Sequence, residues 1–261
     1  MKNGINQPIN YLINNFFYSL MKQHLVVKRY GVLILLIALT VVGILFSQPT
    51  SVPVLVPSPQ PKLASQKILD VPLESQFTEV ALENGCEVTA LSMLLRYFDY
   101  SVDKNSLADQ LSYVPVMVDS VYHGNPHDGF VGNITGGLAA MGVAVEPIAT
   151  LAKKIVGTEK EVISGSDINF SEIEKELKTG NPVWVITTLD FQIPTANDWL
   201  TWQTRSGTID VCRLCHAVIV TGITDKYVYV NDPYGYKNRK VAIKKFRKAY
   251  EVMGKQMLYL R

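Results

Sequence analysis

The chain has 261 residues, enough for one domain of ordinary to large size plus appendages. Its 25 Lys and Arg stand against 23 Asp and Glu, and no basic stripe with interleaved aromatics runs through it, so nothing in it asks for a nucleic-acid partner. Three cysteines, Cys86, Cys212 and Cys215, are too few for a disulfide-built scaffold, and an odd number in an exported domain leaves at least one free thiol or an intermolecular bridge.

The first strong signal is the uncharged run Gly31–Phe46, GVLILLIALTVVGILF, preceded by Lys22, Lys28 and Arg29. Extended by Tyr30 and Ser47 it approaches the ~17–25 residues that a membrane-spanning helix needs. No basic residue follows until Lys62, so the charge bias puts residues 1–29 in the cytoplasm and everything after residue 47 outside. A cleaved signal peptide is the competing reading, with Met21 as a possible start. The small-residue cleavage pattern is missing after Phe46, which favours an uncleaved anchor over 30–47. Residues 48–66, with prolines at 49, 53, 57, 59 and 61, read as an extended spacer.

From residue 67 to 261 the composition is globular. Ile68–Leu73 is predicted as a short edge strand interrupted by Pro72. A helix is predicted over Cys86–Tyr97, with Val88, Leu91, Leu94 and Leu95 on one face. Asp103 or Ser106 caps a second helix carrying Leu107 and Leu111. Residues 119–137, rich in Gly, Asn and Asp, read as loop. Val143–Ile148 is predicted as a strand, and Ser171 with Glu174 as a capping box opening a helix over Glu172–Thr179. The segment PVWVITTL then reads as a buried strand, and Asp190–Leu214 as a long, weakly patterned loop. HAVIVTGI and YVYVND form a hairpin closed by Thr224–Lys226. A basic amphipathic helix near Lys244–Val252 and a final strand, MLYL, end the chain. A helical first half followed by an antiparallel sheet is an α+β layout.

On that frame Cys86 opens a helix, where unpaired N–H groups and the helix dipole favour a thiolate. If Ile223 faces Tyr227 across the hairpin, Val218 lies near Asp232 and His216 near Pro233 or Tyr234. His216 and Asp232 are then diagonal neighbours on one face, about 7–8 Å apart along the backbone. A thiol, an imidazole and a carboxylate make a nucleophile, base and orienter. The backbone N–H of Cys86 and the side-chain amide of Gln76 are candidate donors to an oxyanion. Each residue also has a plainer role: Cys86 as a small core residue, His216 as a hydrogen-bonded strand residue, Asp232 as a turn former before Pro233.

The residues LDVPLESQ, NGCEVTALSMLL, PVWVITT, CHAVIVTGIT and YVYVNDPYG resemble the bacteriocin-processing, double-glycine-leader cysteine peptidases, and more closely their stand-alone, exported, papain-like relatives. The resemblance covers about residues 68–261 in the order Gln, Cys, His, Asp. It implies a papain-like fold and a hydrolase acting on peptide or isopeptide bonds of a peptide or protein substrate outside the membrane. Gln76 would be the oxyanion-hole residue, Cys86 the nucleophile, His216 the base and Asp232 the orienting carboxylate, with no cofactor and no metal. The leader-processing members are fused to a transport ATPase, whereas this sequence carries no Walker-type phosphate loop. Where the family has a small residue after the nucleophile this chain has Glu87, an acid that raises the thiol pKa if it points into the cleft.

Three rival readings stand beside it. A papain-like module without activity would bind peptides or wall components. Cys212-Arg213-Leu214-Cys215-His216 matches the short c-type haem attachment pattern, but it runs into a strand; the same pair is also a candidate local disulfide or two separate thiols. His123, His127, Asp119 and Asp128 suggest a metal or, in their Gly-rich context, a solvated loop.

Overall fold

Ten successive side chains of one helix, Cys86 to Leu95, are buried, so the helix sits inside the molecule and not on its surface. This helix, α1 (Cys86–Tyr97), is the centre of a computed structural model that describes residues 68–137 and 139–261. The expected cytoplasmic segment 1–29, anchor 30–47 and spacer 48–66 lie outside the described residues. Among the described residues no helix is long and apolar enough to cross a membrane.

α1 starts where it does for steric reasons. Its N-cap is Gly85, and a Cβ there would stand 2.5 Å from Leu82 Cβ. The preceding Asn84 is pinned by hydrogen bonds from Nδ2 to the carbonyls of Asn133 and Gly137 at 2.9 and 3.0 Å. After α1 come α2 (Lys104–Ala108), β1 (Tyr113–Val114), β2 (Phe130–Val131), α3 (Val145–Val156), β3 (Val162–Gly165), α4 (Phe170–Lys178) and β4 (Val183–Thr188). The second half holds β5 (Trp199–Thr204), β6 (Gly207–Cys212), β7 (Cys215–Ile223), β8 (Tyr227–Asp232), β9 (Tyr236–Ala242), α5 (Ile243–Val252) and β10 (Met257–Leu260).

Six strands form one antiparallel sheet in the order β3-β10-β4-β7-β8-β9. Its central strands, β4 and β7, are buried almost throughout, and α1, α4 and α5 pack against them. Trp184 of β4, fully buried, donates its indole N–H to the Glu87 carbonyl at 3.0 Å, tying the sheet to the first turn of α1. Trp184→Ala is expected to cost about 3–5 kcal/mol through the cavity it leaves. Trp184→Phe is expected to cost about 1–2 kcal/mol, chiefly through the lost indole hydrogen bond. Denaturant titration measures both, and a Trp184→Phe midpoint equal to the native one would remove the hydrogen bond from the account.

Several elements differ from the sequence-based expectation. Ile68–Leu73 is not a strand: Leu69 N–H bonds the Thr221 carbonyl at 2.8 Å, but the run then turns back on itself, Val71 N–H bonding the Leu69 carbonyl. Pro72 cannot donate, which prevents a ladder from continuing. Val143–Ile148 is not a strand either. Buried Val145, Ile148, Ala149, Ala152 and Val156 keep a helical spacing, and α3 begins at Val145. α4 begins at Phe170, so Ser171 lies inside it, and its N-cap, Asn169, makes no side-chain capping bond. Leu111 falls beyond α2, which Asp103 caps through the N–H groups of Asn105 and Ser106.

The supposed loop 190–214 holds a regular hairpin, β5 with β6, that alternates Trp202 and Val211 inward against exposed Thr201 and Asp210. β9 was absent from the expectation because Tyr236-Lys-Asn-Arg-Lys is polar. It is the sheet's edge strand, where charge guards unpaired N–H and C=O groups.

The hairpin register decides the site. At the turn Ile223 faces Val228 and not Tyr227, one residue off the expectation. A bulge between Val220 and Gly222 absorbs the extra residue, and from Val220↔Val230 onward the ladder runs in the expected frame, Ile219 facing Asn231.

Candidate active site

Cys86 is the first residue of α1, so its backbone N–H has no partner within the helix. Its Sγ donates to Glu87 Oε2 at 3.2 Å. Burial pushes the Cys86 thiol well above its ordinary pKa, and the charges of Glu87 and Cys215 push the same way, with only partial relief from the Ala217 backbone. The dipole of the helix is therefore outweighed, against the expectation of a resting thiolate. Glu87 points inward: it is 1% exposed, and its Oε1 accepts from Val143 N–H at 3.1 Å.

The strand side of the site is an ordered chain of charge. His216, buried near the start of β7, bonds Asp232 Oδ1 through Nε2 at 2.9 Å. The same Oδ1 accepts from Tyr234 N–H at 3.0 Å. Oδ2 accepts from Arg239 Nη1 at 2.7 Å, and Arg239 Nη2 reaches Asp190 at 2.6 Å. Burial alone would raise the Asp232 carboxyl. The hydrogen bond and charge of His216 lead the effects that overcome it, with Tyr234 N–H and Arg239 behind, and hold it at about 2. Tyr234 meets the imidazole edge-on, ring centres 5.1 Å apart. With Nε2 committed to Asp232, Nδ1 is the nitrogen left for a thiol proton.

Gln76, Cys86, Glu87, Cys215, His216 and Tyr234 all line one cavity of about 140 Å³. Three of the four predicted site residues share it, and Asp232 joins them through its bond to His216. Gln76 arrives through its backbone, N–H bonding the Pro233 carbonyl at 2.8 Å beside Asp232. Its Nε2 donates to the Leu82 and Glu83 carbonyls at 3.1 and 2.8 Å, and its buried Oε1 has no partner. Leu82 O also receives Gly85 N–H at 2.9 Å, so the Gln76 bond to it can be surrendered without orphaning that carbonyl. A second cavity of about 320 Å³ shares the wall residues Met141, Cys212 and Cys215 with the first, and adds Val143, Ile186 and Trp199.

The other sequence candidates go elsewhere. Cys212 and Cys215 are free thiols, not a bridged pair. His123 stacks on Trp202 at 4.5 Å, His127 pairs with Glu146 at 2.9 Å and Asp119 with Arg205 at 2.7 Å, so these residues do not converge. Sequence reasoning missed Tyr234, Arg239 and Asp190. Tyr234 follows directly after Asp232-Pro233 and was within reach of the hairpin argument. Arg239 required β9, and Asp190 sits at φ 53° in the tight turn Leu189–Phe191 after β4, which no pattern announces.

The sequence profile of the Peptidase_C39 like family matches residues 68–258. The uncharacterized protein YvpB of Bacillus subtilis (strain 168) is 46% identical over 197 residues, 76% of this chain and 77% of YvpB. The crystal structure of a candidate C39-like peptidase from Bacillus anthracis matches with a TM-score of 0.68 and 34% identity, over 74% of this chain and 94% of that one.

Proposed function

As the chain belongs to the Peptidase_C39 like family, we propose that it is a papain-like thiol hydrolase that cleaves peptide or isopeptide bonds through Cys86, His216 and Asp232. The observation that carries this is that His216, paired with buried Asp232, shares one cavity with a cysteine at a helix N-terminus. His216 Nδ1 takes the Sγ proton, and the thiolate attacks the acyl carbon. The carbonyl electrons move to oxygen, which the Cys86 N–H and one Gln76 N–H stabilise once Gln76 lets go of Leu82 O. The imidazolium then protonates the leaving amine as the C–N bond breaks. Water, deprotonated by His216, cleaves the thioester and restores the thiol. Asp232 holds the ring and balances its charge, and Arg239 balances Asp232. The larger adjoining cavity, walled by Met141, Ile186 and Trp199, takes a substrate side chain. From the basic flank and apolar run before the domain, the site works outside the membrane.

The test is peptide mass spectrometry of surface proteins from cells carrying the native chain or Cys86→Ala. Cleavage products dependent on Cys86 are expected, and identical peptide sets sink the hydrolase reading. Gln76→Ala is expected to lower kcat about 10²–10³-fold with little change in KM. A fall confined to KM would move Gln76 from the oxyanion to substrate binding. A second reading, a binding module without turnover, draws on Sγ being bonded to Glu87 with its pKa raised. It predicts peptide retention that survives Cys86→Ala.

A further inference from the structure

The mechanism above leaves unused the carboxyl group that touches the nucleophile. Glu87 Oε2 receives the Cys86 thiol at 3.2 Å, and Oε1 is fixed by Val143 N–H at 3.1 Å. Room for the carboxyl depends on Gly142, at φ +74°, where a Cβ would stand 2.3 Å from Oε1. The titratable groups that face it are Cys86 from its own helix and Cys215 and His216 from β7. Glu83, Cys212, Arg213 and Tyr234 line the same cavity. Among the described residues no Lys or Arg pairs with Glu87, and the one basic side chain that acts on it is His216.

We propose that Glu87 is a further catalytic residue, a proton-operated latch on Cys86: as a carboxylate it keeps the sulfur's hydrogen and opposes ionisation, and as a carboxylic acid it becomes the donor that supports the thiolate. The inference rests on the reading of Cys86 as nucleophile. In the latched state the S–H hydrogen is held by Oε2. When Oε2 binds a proton from solvent, its O–H donates to Sγ. The S–H bond breaks, and that hydrogen passes to His216 Nδ1, leaving a neutral acid, a thiolate and an imidazolium. One proton is taken up and the net charge rises by one. Burial, the foremost influence on this carboxyl, raises its pKa, so the acid form persists to higher pH than in an exposed glutamate. A thiolate beside an ionised Glu87 would instead put two anions in contact in a buried site. The latch thus limits the site on the alkaline side, whereas an unlatched thiolate–imidazolium pair holds a plateau there.

Iodoacetamide labelling of Cys86, resolved by peptide mass spectrometry on the full chain between about pH 5 and pH 8, reads this directly. The native rate is expected to be highest on the acid side and to fall toward neutrality. Glu87→Gln, a neutral isostere, is expected to label about tenfold or more faster at about pH 8 and within about twofold of native at about pH 5. Superimposable profiles overturn the latch. If Glu87→Gln does not fold by circular dichroism, the native profile decides alone, and a flat or steadily rising rate overturns it. No substrate enters the labelling, so the two readings fail separately. Latch behaviour without any Cys86-dependent cleavage sinks the hydrolase, and Cys86-dependent cleavage with matching profiles sinks only the latch.

Discussion

Cys86→Ala is expected to lower kcat for peptide hydrolysis by about 10⁴-fold or more, while the folded structure is kept. The size follows from the division of labour in the cavity. Without Sγ there is no acyl-enzyme, and His216, Gln76 and the free N–H at the head of α1 are left to polarise a carbonyl that only water attacks. The stability cost is modest by comparison, within about 1 kcal/mol, because the side chain lost is small and the thiol's side-chain hydrogen bond goes to a carboxylate that the Val143 N–H still holds. Single-turnover kinetics on a peptide that the native chain cleaves, with thermal unfolding alongside, measures both. Retention of more than about one hundredth of the native rate would show that the thiol is not the nucleophile. The same variant should lose labelling by an acyl-type electrophile, and a label that persists on Cys212 or Cys215 would redirect the chemistry to those thiols.

Asp232→Asn carries the second large effect, on rate and on acid stability together. The amide keeps the shape but can donate to His216 Nε2, which favours the tautomer that places the proton on Nδ1, where the thiol proton has to arrive. A fall of about 10³–10⁴-fold in kcat is expected, with KM nearly unchanged. The acid effect comes from the depressed carboxyl, about 2 in the folded chain against an ordinary 3.8. A lowered pKa contributes stability that is fully present above about 3.8 and is lost as pH falls through about 2. The difference corresponds to about 2 kcal/mol. Denaturant titrations above and below this window should therefore lose about 2 kcal/mol less in Asp232→Asn than in the native chain. Other carboxylates with lowered pKa, such as Glu176 and Asp198, titrate equally in both proteins and cancel. An identical loss in the two proteins would mean that the His216 and Arg239 contacts do not act on Asp232 as the geometry states.

The doubt that Glu87 raised in the sequence has a structural answer. Position 87 in the first turn of a helix is compatible with a solvent-facing residue that merely favours the dipole. The buried inward orientation follows from contacts that a sequence pattern does not contain: the N–H of Val143, the missing side chain of Gly142, and the Trp184 indole gripping the same residue's carbonyl.

What the sequence by itself determined is the set of local, periodic features. The apolar run after Gly85 specified a helix with Cys86 at its head, and two apolar strands joined by a short turn specified a hairpin. The even spacing of His216 and Asp232 about that turn specified a shared face, since a strand repeats every second residue. It failed where a pattern was short or polar. The run Val143–Ile148 was read over six residues when its helical spacing continues to Val156, and β9 was hidden by the charge that protects a sheet edge.

Tertiary structure decided the remainder because the relevant partners are far apart in the chain. Arg239 reaches Asp232 from the edge strand and is itself held by Asp190 from the turn after β4, Gln76 is delivered by a bond to the Pro233 carbonyl, and a bulge at Thr221 corrects the register that the turn alone would have set. The protonation of Cys86 belongs to this second group as well. Helix position pulls the thiol toward ionisation, burial and a neighbouring carboxylate pull it back, and only the packed structure contains the terms that win.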